Sequence, residues 1–109
     1  MVKMKCVIVE DEIPAADELK YIISQYDFME IQGIASDGES GFNMIKKFNP
    51  DAVFLDINMP MQNGIDLAIN VKKFNSAINI IFVTAYEQYA VKAFEVDVLD
   101  YILKPFDQQ

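Results

Sequence analysis

The chain has 109 residues, 52% hydrophobic and 24% charged, with a formal net charge of −8. That is one domain with enough apolar residues to bury a single core, which excludes a disordered chain. Its nine basic residues are all lysine and it has no histidine. Imidazole catalysis, histidine-based zinc sites and the arginine-bearing positive surface of a nucleic-acid binder are thereby excluded, and no direct nucleic-acid binding by this segment is expected.

No apolar run approaches the ~20 residues of a membrane helix. The start, Met1-Val2-Lys3-Met4-Lys5-Cys6, leads straight into a strand-like run without a small-residue cleavage site, so neither a membrane segment nor a signal peptide is expected. Cys6 is expected to be a buried free thiol, which fits a reducing cytoplasm.

Val7-Ile8-Val9 places a strand at about 4–9, followed by Glu10-Asp11-Glu12. Pro14 suits a first helical turn, and Ala15/Ala16, Leu19, Ile22/Ile23 and Tyr26 recur at helical spacing, so a helix is predicted to about Tyr26. Ile31 to Ala35 reads as a second strand. Ser36 and Glu39 have capping-box spacing, and Phe42, Ile45 and Phe48 mark a second helix, ended by Asn49-Pro50. A buried strand is predicted over 52–56, and Pro60 then forces a turn. Asn63-Gly64 marks another turn. Leu67, Val71 and Phe74 mark a third helix, and Ile80 to Val83 a fourth strand ending at Thr84-Ala85. A weaker helix is predicted over 87–94, then a fifth strand over 99–103 closed by Lys104-Pro105.

Strands alternating with helices predict an α/β domain with a parallel sheet and helices on both faces. In such sheets the ligand site lies beyond the carboxyl ends of the strands. Four predicted strands end on groups suited to phosphate or metal chemistry: Glu10-Asp11, Asp56, Thr84 and Lys104. Glu10, Asp11 and Asp56 would bring three carboxylates together, an arrangement that repels itself unless a hard divalent cation sits among them. Glu12 reads simply as the start of a helix, where the dipole favours an acid. A carboxylate can act as a nucleophile toward phosphorus, giving an aspartyl phosphate. Lys104 and Thr84 can supply a point charge and a hydroxyl donor to the phosphoryl oxygens. Asn58 can offer its backbone carbonyl to the metal, or serve only as a turn former.

Taken together, Val7-Ile8-Val9-Glu10-Asp11-Glu12, Phe54-Leu55-Asp56-Ile57-Asn58-Met59-Pro60, Val83-Thr84-Ala85-Tyr86 and Tyr101-Ile102-Leu103-Lys104-Pro105-Phe106 resemble the receiver domain of two-component response regulators. The stretch Ala93 to Tyr101 is similar in style to receivers of the LytR/AlgR type. The resemblance covers the whole chain, 1–109, as one receiver domain. It implies a flavodoxin-like, doubly wound five-stranded parallel sheet in the order 2-1-3-4-5. It implies that Asp56 accepts a phosphoryl group from a sensor histidine kinase, and that Glu10, Asp11, Asp56 and the Asn58 carbonyl hold Mg²⁺. Thr84 and Lys104 would bind the phosphoryl oxygens, Tyr101 would be the aromatic switch, and Lys104-Pro105 a cis peptide. Tyr101 and Lys104 fall on opposite faces of their strand, so one can read the surface while the other serves the site. Such a domain catalyses its own phosphorylation and slow dephosphorylation but is no turnover enzyme.

The sequence departs from this pattern in two places. Glu10 stands where Asp is more usual, and its extra methylene can make its metal contact indirect. The chain also stops at Asp107-Gln108-Gln109, where a last helix should begin, so that helix is expected to be missing or truncated and the chain to be a fragment of a longer regulator. An apolar strip is then expected to lie uncovered and to favour a homodimer. LytR/AlgR-type regulators carry a DNA-binding output domain after the receiver. A haloacid-dehalogenase-type phosphatase would want a second Asp where Asn58 stands. A flavin or nucleotide site would want a Gly- or Ser/Thr-rich loop in place of Glu10-Asp11-Glu12. A degenerate receiver, acting only as an interaction module, is the remaining alternative.

Overall fold

A computed structural model describes residues 3–57, 59, 63–85, 93, 95–96 and 98–104. The elements run β1 (Met4–Val9), α1 (Ile13–Ser24), β2 (Met29–Ala35), α2 (Gly38–Phe48), β3 (Ala52–Leu55), α3 (Gly64–Phe74), β4 (Asn79–Thr84) and β5 (Asp100–Leu103). The five strands form one parallel sheet in the order β2-β1-β3-β4-β5. The chain therefore reverses direction across the sheet between β1 and β3, which opens a crevice at their carboxyl ends.

Strand alternation sorts the core into two layers. Val7 and Val9 of β1, with Val53 and Leu55 of β3 and Ile80 and Phe82 of β4, pack against Ile45 of α2 and Leu67, Ala68 and Val71 of α3. Cys6 and Ile8, with Phe54 and Val83, pack on the other side against Leu19 and Ile23 of α1. Cys6 is a buried free thiol, and burial pushes it up to about 11. It stays protonated and inert at neutral pH.

Several boundaries move from their expected places for local reasons. β2 begins at Met29 rather than 31, because Met29 and Glu30 pair with Met4 and Lys5. α1 ends at Ser24, and the N–H groups of Gln25 and Tyr26 turn back to the carbonyls of Ile22 and Ile23. The α2 cap is displaced by one residue from the Ser36–Glu39 spacing. Asp37, in extended backbone, accepts from the Ser40 N–H at 2.7 Å, and its other oxygen accepts from the Ser40 hydroxyl at 3.1 Å. A carboxylate at the helix start answers both an orphan N–H and the helix dipole. Asp37→Ala is expected to cost about 1 kcal/mol, roughly 4 °C of melting temperature followed by circular dichroism.

α2 does stop at Asn49, which adopts the left-handed conformation (φ 47°). Its side-chain oxygen accepts from Asn75 Nδ2 at 2.8 Å, tying the ends of α2 and α3 together. On the outer strand β2 the pairing with β1 skips a residue: Cys6 lies opposite Ile31 and Val7 opposite Gly33, so Gln32 is left in a bulge. Of the helix expected over 87–94, only Ala93 lies among the described residues, where it is helical and buried. The expected features at Asn58, at Pro105 and beyond it lie outside the described residues. Between α1 and β5 runs an apolar groove of about 260 Å³ lined by Leu19, Ile22, Tyr26, Phe54 and Ile102 among others. Among the described residues no helix is long and apolar enough to cross a membrane.

Candidate functional site

The reversal between β1 and β3 puts the residues that follow them side by side. Val9 pairs with Leu55, and the Asp56 N–H donates to the Val9 carbonyl at 3.1 Å. Asp56 thus leaves the strand as the first loop residue, buried and fixed by its own peptide. The Glu10 N–H donates to the Ala35 carbonyl at 2.9 Å, which anchors the other side of the crevice.

Glu10, Asp11, Glu12 and Asp56 each present a carboxylate oxygen, and these oxygens lie within 4.8 Å of one another. Three of the four are the carboxylates that the sequence pattern brings together. Glu12 is the addition. It is the N-cap residue of α1 but makes no side-chain cap there. Its N–H donates to Glu10 Oε2 at 3.1 Å, and its side chain turns toward the crevice. Spacing alone could not separate that position from an ordinary helix start.

Lys104 follows β5, whose register with β4 places Leu103 beside Thr84. The Lys104 N–H donates to the Thr84 carbonyl at 2.8 Å, which locks the lysine backbone to the end of β4. Its ammonium then lies among the acids. It pairs most closely with Glu10 Oε1, and lies 3.3 Å from Asp56 Oδ2 and 3.4 Å from Glu12 Oε1. Thr84 is fully buried at the same edge of the sheet. Tyr101 points to the α2–α3 face and meets Phe82 with ring centroids 6.2 Å apart. Lys104 serves the crevice, in keeping with the strand alternation.

The electrostatics follow from burial. Glu10 is buried, and desolvation pushes its carboxyl up to about 7, aided by the neighbouring charge of Asp56. The Lys104 ammonium and the Glu12 N–H hold it back only in part. For Lys104, burial works to lower the pKa, but the hydrogen bond to Glu10 and the attraction of Asp56 and Glu10 outweigh it and raise it.

A carboxyl whose pKa is higher folded than unfolded stabilises the fold below its ordinary value of 4.5. That contribution is lost as pH rises through about 7. Lys104 stays charged throughout that window and adds no slope of its own. Metal-free protein is therefore expected to lose stability between pH 5 and 7.5, on the order of 3 kcal/mol at most. Melting temperature measured against pH in chelator checks this, and Glu10→Gln should flatten the curve.

The donor set fits a hard divalent cation. It is all oxygen, it carries more negative charge than one ammonium neutralises, and Asp11 Oδ1 is buried without a hydrogen-bond partner among the described residues. A buried oxygen left in that state costs free energy unless something binds it.

Comparison with known proteins agrees with this geometry. The sensory transduction protein LytT of Bacillus anthracis is 47% identical over 106 residues, which are 97% of this chain and 43% of that protein. The chain thus spans less than half the length of that relative. The crystal structure of the response regulatory domain of protein mrkE from Klebsiella pneumoniae is 43% identical, with a TM-score of 0.89 over 95% of this chain and 85% of that one. The CheX-CheY-BeF₃-Mg²⁺ complex from Borrelia burgdorferi contains a chain 28% identical, with a TM-score of 0.88 over 97% of this chain and 81% of that one. The order 2-1-3-4-5, the acids at the β1–β3 crevice and the match of residues 6–109 to the response regulator receiver domain lead to one conclusion: the chain belongs to that family, the phosphoacceptor modules of two-component signalling.

Proposed function

We propose that Asp56 is the phosphoacceptor and that a sensor histidine kinase is the donor. One carboxylate oxygen of Asp56 forms the new O–P bond as the N–P bond of a phosphohistidine breaks. The bonding pair leaves with the imidazole nitrogen, which takes up a proton. The observation that carries this reading is the crevice itself: among the described residues, four carboxylates with oxygens within 4.8 Å of one another, the Lys104 ammonium beside them, and a buried Asp11 oxygen without a partner.

Glu10, Asp11, Asp56 and the backbone carbonyl of Asn58 would hold Mg²⁺, which when bound offsets the charge that gathers on the phosphoryl oxygens. The Borrelia burgdorferi complex, with BeF₃ and Mg²⁺, supports that assignment by likeness. Lys104 binds a second phosphoryl oxygen through its ammonium, and Thr84 a third through its hydroxyl. Withdrawal of Thr84 toward the phosphoryl group would open room behind it on the β4–β5 surface. Tyr101, half-buried against Phe82, is the ring that would move into it.

The domain thus assists its own phosphorylation and the slow hydrolysis of its acyl phosphate, without turning over a separate substrate. It would work in the cytoplasm. In the longer regulator the switched surface would control an output domain that binds DNA, or a homodimer, to regulate transcription.

The test is intact mass after incubation with Mg²⁺ and acetyl phosphate. One phosphoryl adduct, lost without Mg²⁺ and lost in Asp56→Asn, is the expected result. A folded protein that takes no adduct would instead be a degenerate receiver, an interaction module independent of phosphorylation.

A further inference from the structure

The loop from Asp56 to α3 is closed by a contact that only glycine permits. Gly64 is the first residue of α3, and its N–H donates to the Ile57 carbonyl at 2.6 Å. That bond uses one of the N–H groups a helix start leaves without an internal partner. It draws the helix against the peptide joining Asp56 to Ile57. A Cβ placed on Gly64 would lie 2.6 Å from Ile57 Cα and 2.9 Å from the Asp56 carbonyl carbon, and closer still to the Asp56 carbonyl oxygen. All three are backbone atoms, so no side-chain rotation can relieve the clash. The Asn63 side chain holds the same turn by accepting from the Ile65 N–H at 2.7 Å.

On its other side Asp56 is held by the sheet, where its own N–H, part of the preceding peptide, donates to the Val9 carbonyl. The backbone of Asp56 is therefore clamped between β1 and the first turn of α3. We infer that Gly64 is a positioning residue for Asp56: its missing side chain lets α3 press on the acceptor's own peptide and fix where the carboxylate sits. This inference rests on Asp56 being the phosphoacceptor. Transfer chemistry is sensitive to such placement, and a shift of about 1 Å can cost on the order of a hundredfold in rate.

Gly41 supplies the control. A Cβ there would also crowd the core, at 2.9 Å from Val9 Cγ1 and Cγ2, but the atoms it meets belong to a side chain rather than to the backbone of Asp56 or Ile57. The experiment compares wild type, Gly64→Ala and Gly41→Ala in phosphorylation by acetyl phosphate with saturating Mg²⁺, at a temperature where circular dichroism shows each folded. Gly64→Ala is expected to lose about tenfold or more in the rate at saturating acetyl phosphate. The concentration giving half that rate should change little. Gly41→Ala should stay within about twofold.

Equal losses in the two variants would reduce Gly64 to a packing role and overturn the inference, as would a folded Gly64→Ala that reacts like wild type. Should Gly64→Ala fail to fold, Asn63→Ala carries the test. It loosens the same turn without adding an atom, and an unchanged rate there overturns the inference. A wild-type protein that takes no phosphoryl group fails differently, because it removes the acceptor reading and the inference with it.

Discussion

Asp56→Asn is expected to abolish the phosphoryl adduct altogether. The amide keeps the shape of the carboxylate but has no anionic oxygen to attack phosphorus. The neighbouring Glu10 carboxylate is already engaged by the Glu12 N–H and the Lys104 ammonium. The variant should fold at least as well as wild type in chelator. It removes one like charge from a crowded set, and Asp56 is one of the groups that push Glu10 up. The pH slope of stability should accordingly become shallower. Intact mass and a pH series of melting curves measure the two effects on one sample. An adduct surviving in the variant would move the acceptor elsewhere on the chain.

Lys104→Ala has the second large effect, and it divides between rate and stability. The ammonium is the one described cation paired with Glu10, whose side chain is 3% exposed. Removing one partner of a buried pair costs several kcal/mol when the other stays charged. Here Glu10 can escape by taking up a proton, since its carboxyl already titrates at about 7. The loss is therefore expected to be on the order of 2–3 kcal/mol at pH 8 and much smaller near pH 5.5. Denaturant unfolding at the two pH values measures it.

Phosphorylation should slow by about a hundredfold, the usual cost of one preorganised donor to a developing anion. Mg²⁺ binding should hold or tighten, because the ammonium no longer competes for Glu10. A variant that lost rate and metal affinity together would point to a collapsed crevice instead.

The parallel α/β sheet and the convergence of Glu10, Asp11, Asp56 and Lys104 could be read from the chain because each rests on short-range pattern, whereas the strand order followed only from the resemblance. β-branched runs end abruptly on polar groups, and parallel strands bring their ends to one edge. What escaped the sequence needs a third dimension. Glu12 reads as a helix-starting acid, and only the turn of its side chain toward Lys104 brings it into the crevice. Asp37 and Ser36 are equally good caps on paper, and in the fold it is the Asp37 carboxylate that reaches the Ser40 N–H. Gly64 looks like an ordinary turn residue, since its close approach to the Asp56 peptide depends on where α3 packs. Thr84 and Tyr101 occupy the strand positions that the pattern assigns.

The bulge at Gln32 bears on a hazard that faces every open sheet. β2 is an outer strand, so one row of its amide and carbonyl groups has no neighbouring strand in this sheet. A long, regular strand in that position is a template onto which another chain can add, the first step toward ordered aggregates. The skipped pair between Ile31 and Gly33 bends β2 at its middle and spoils the even spacing that a second strand would have to match. Exposed Glu30 places a charge beside the same edge. Straightening the strand by deleting Gln32 would leave a smoother ladder with β1, and with it a chain more prone to fibrils on standing.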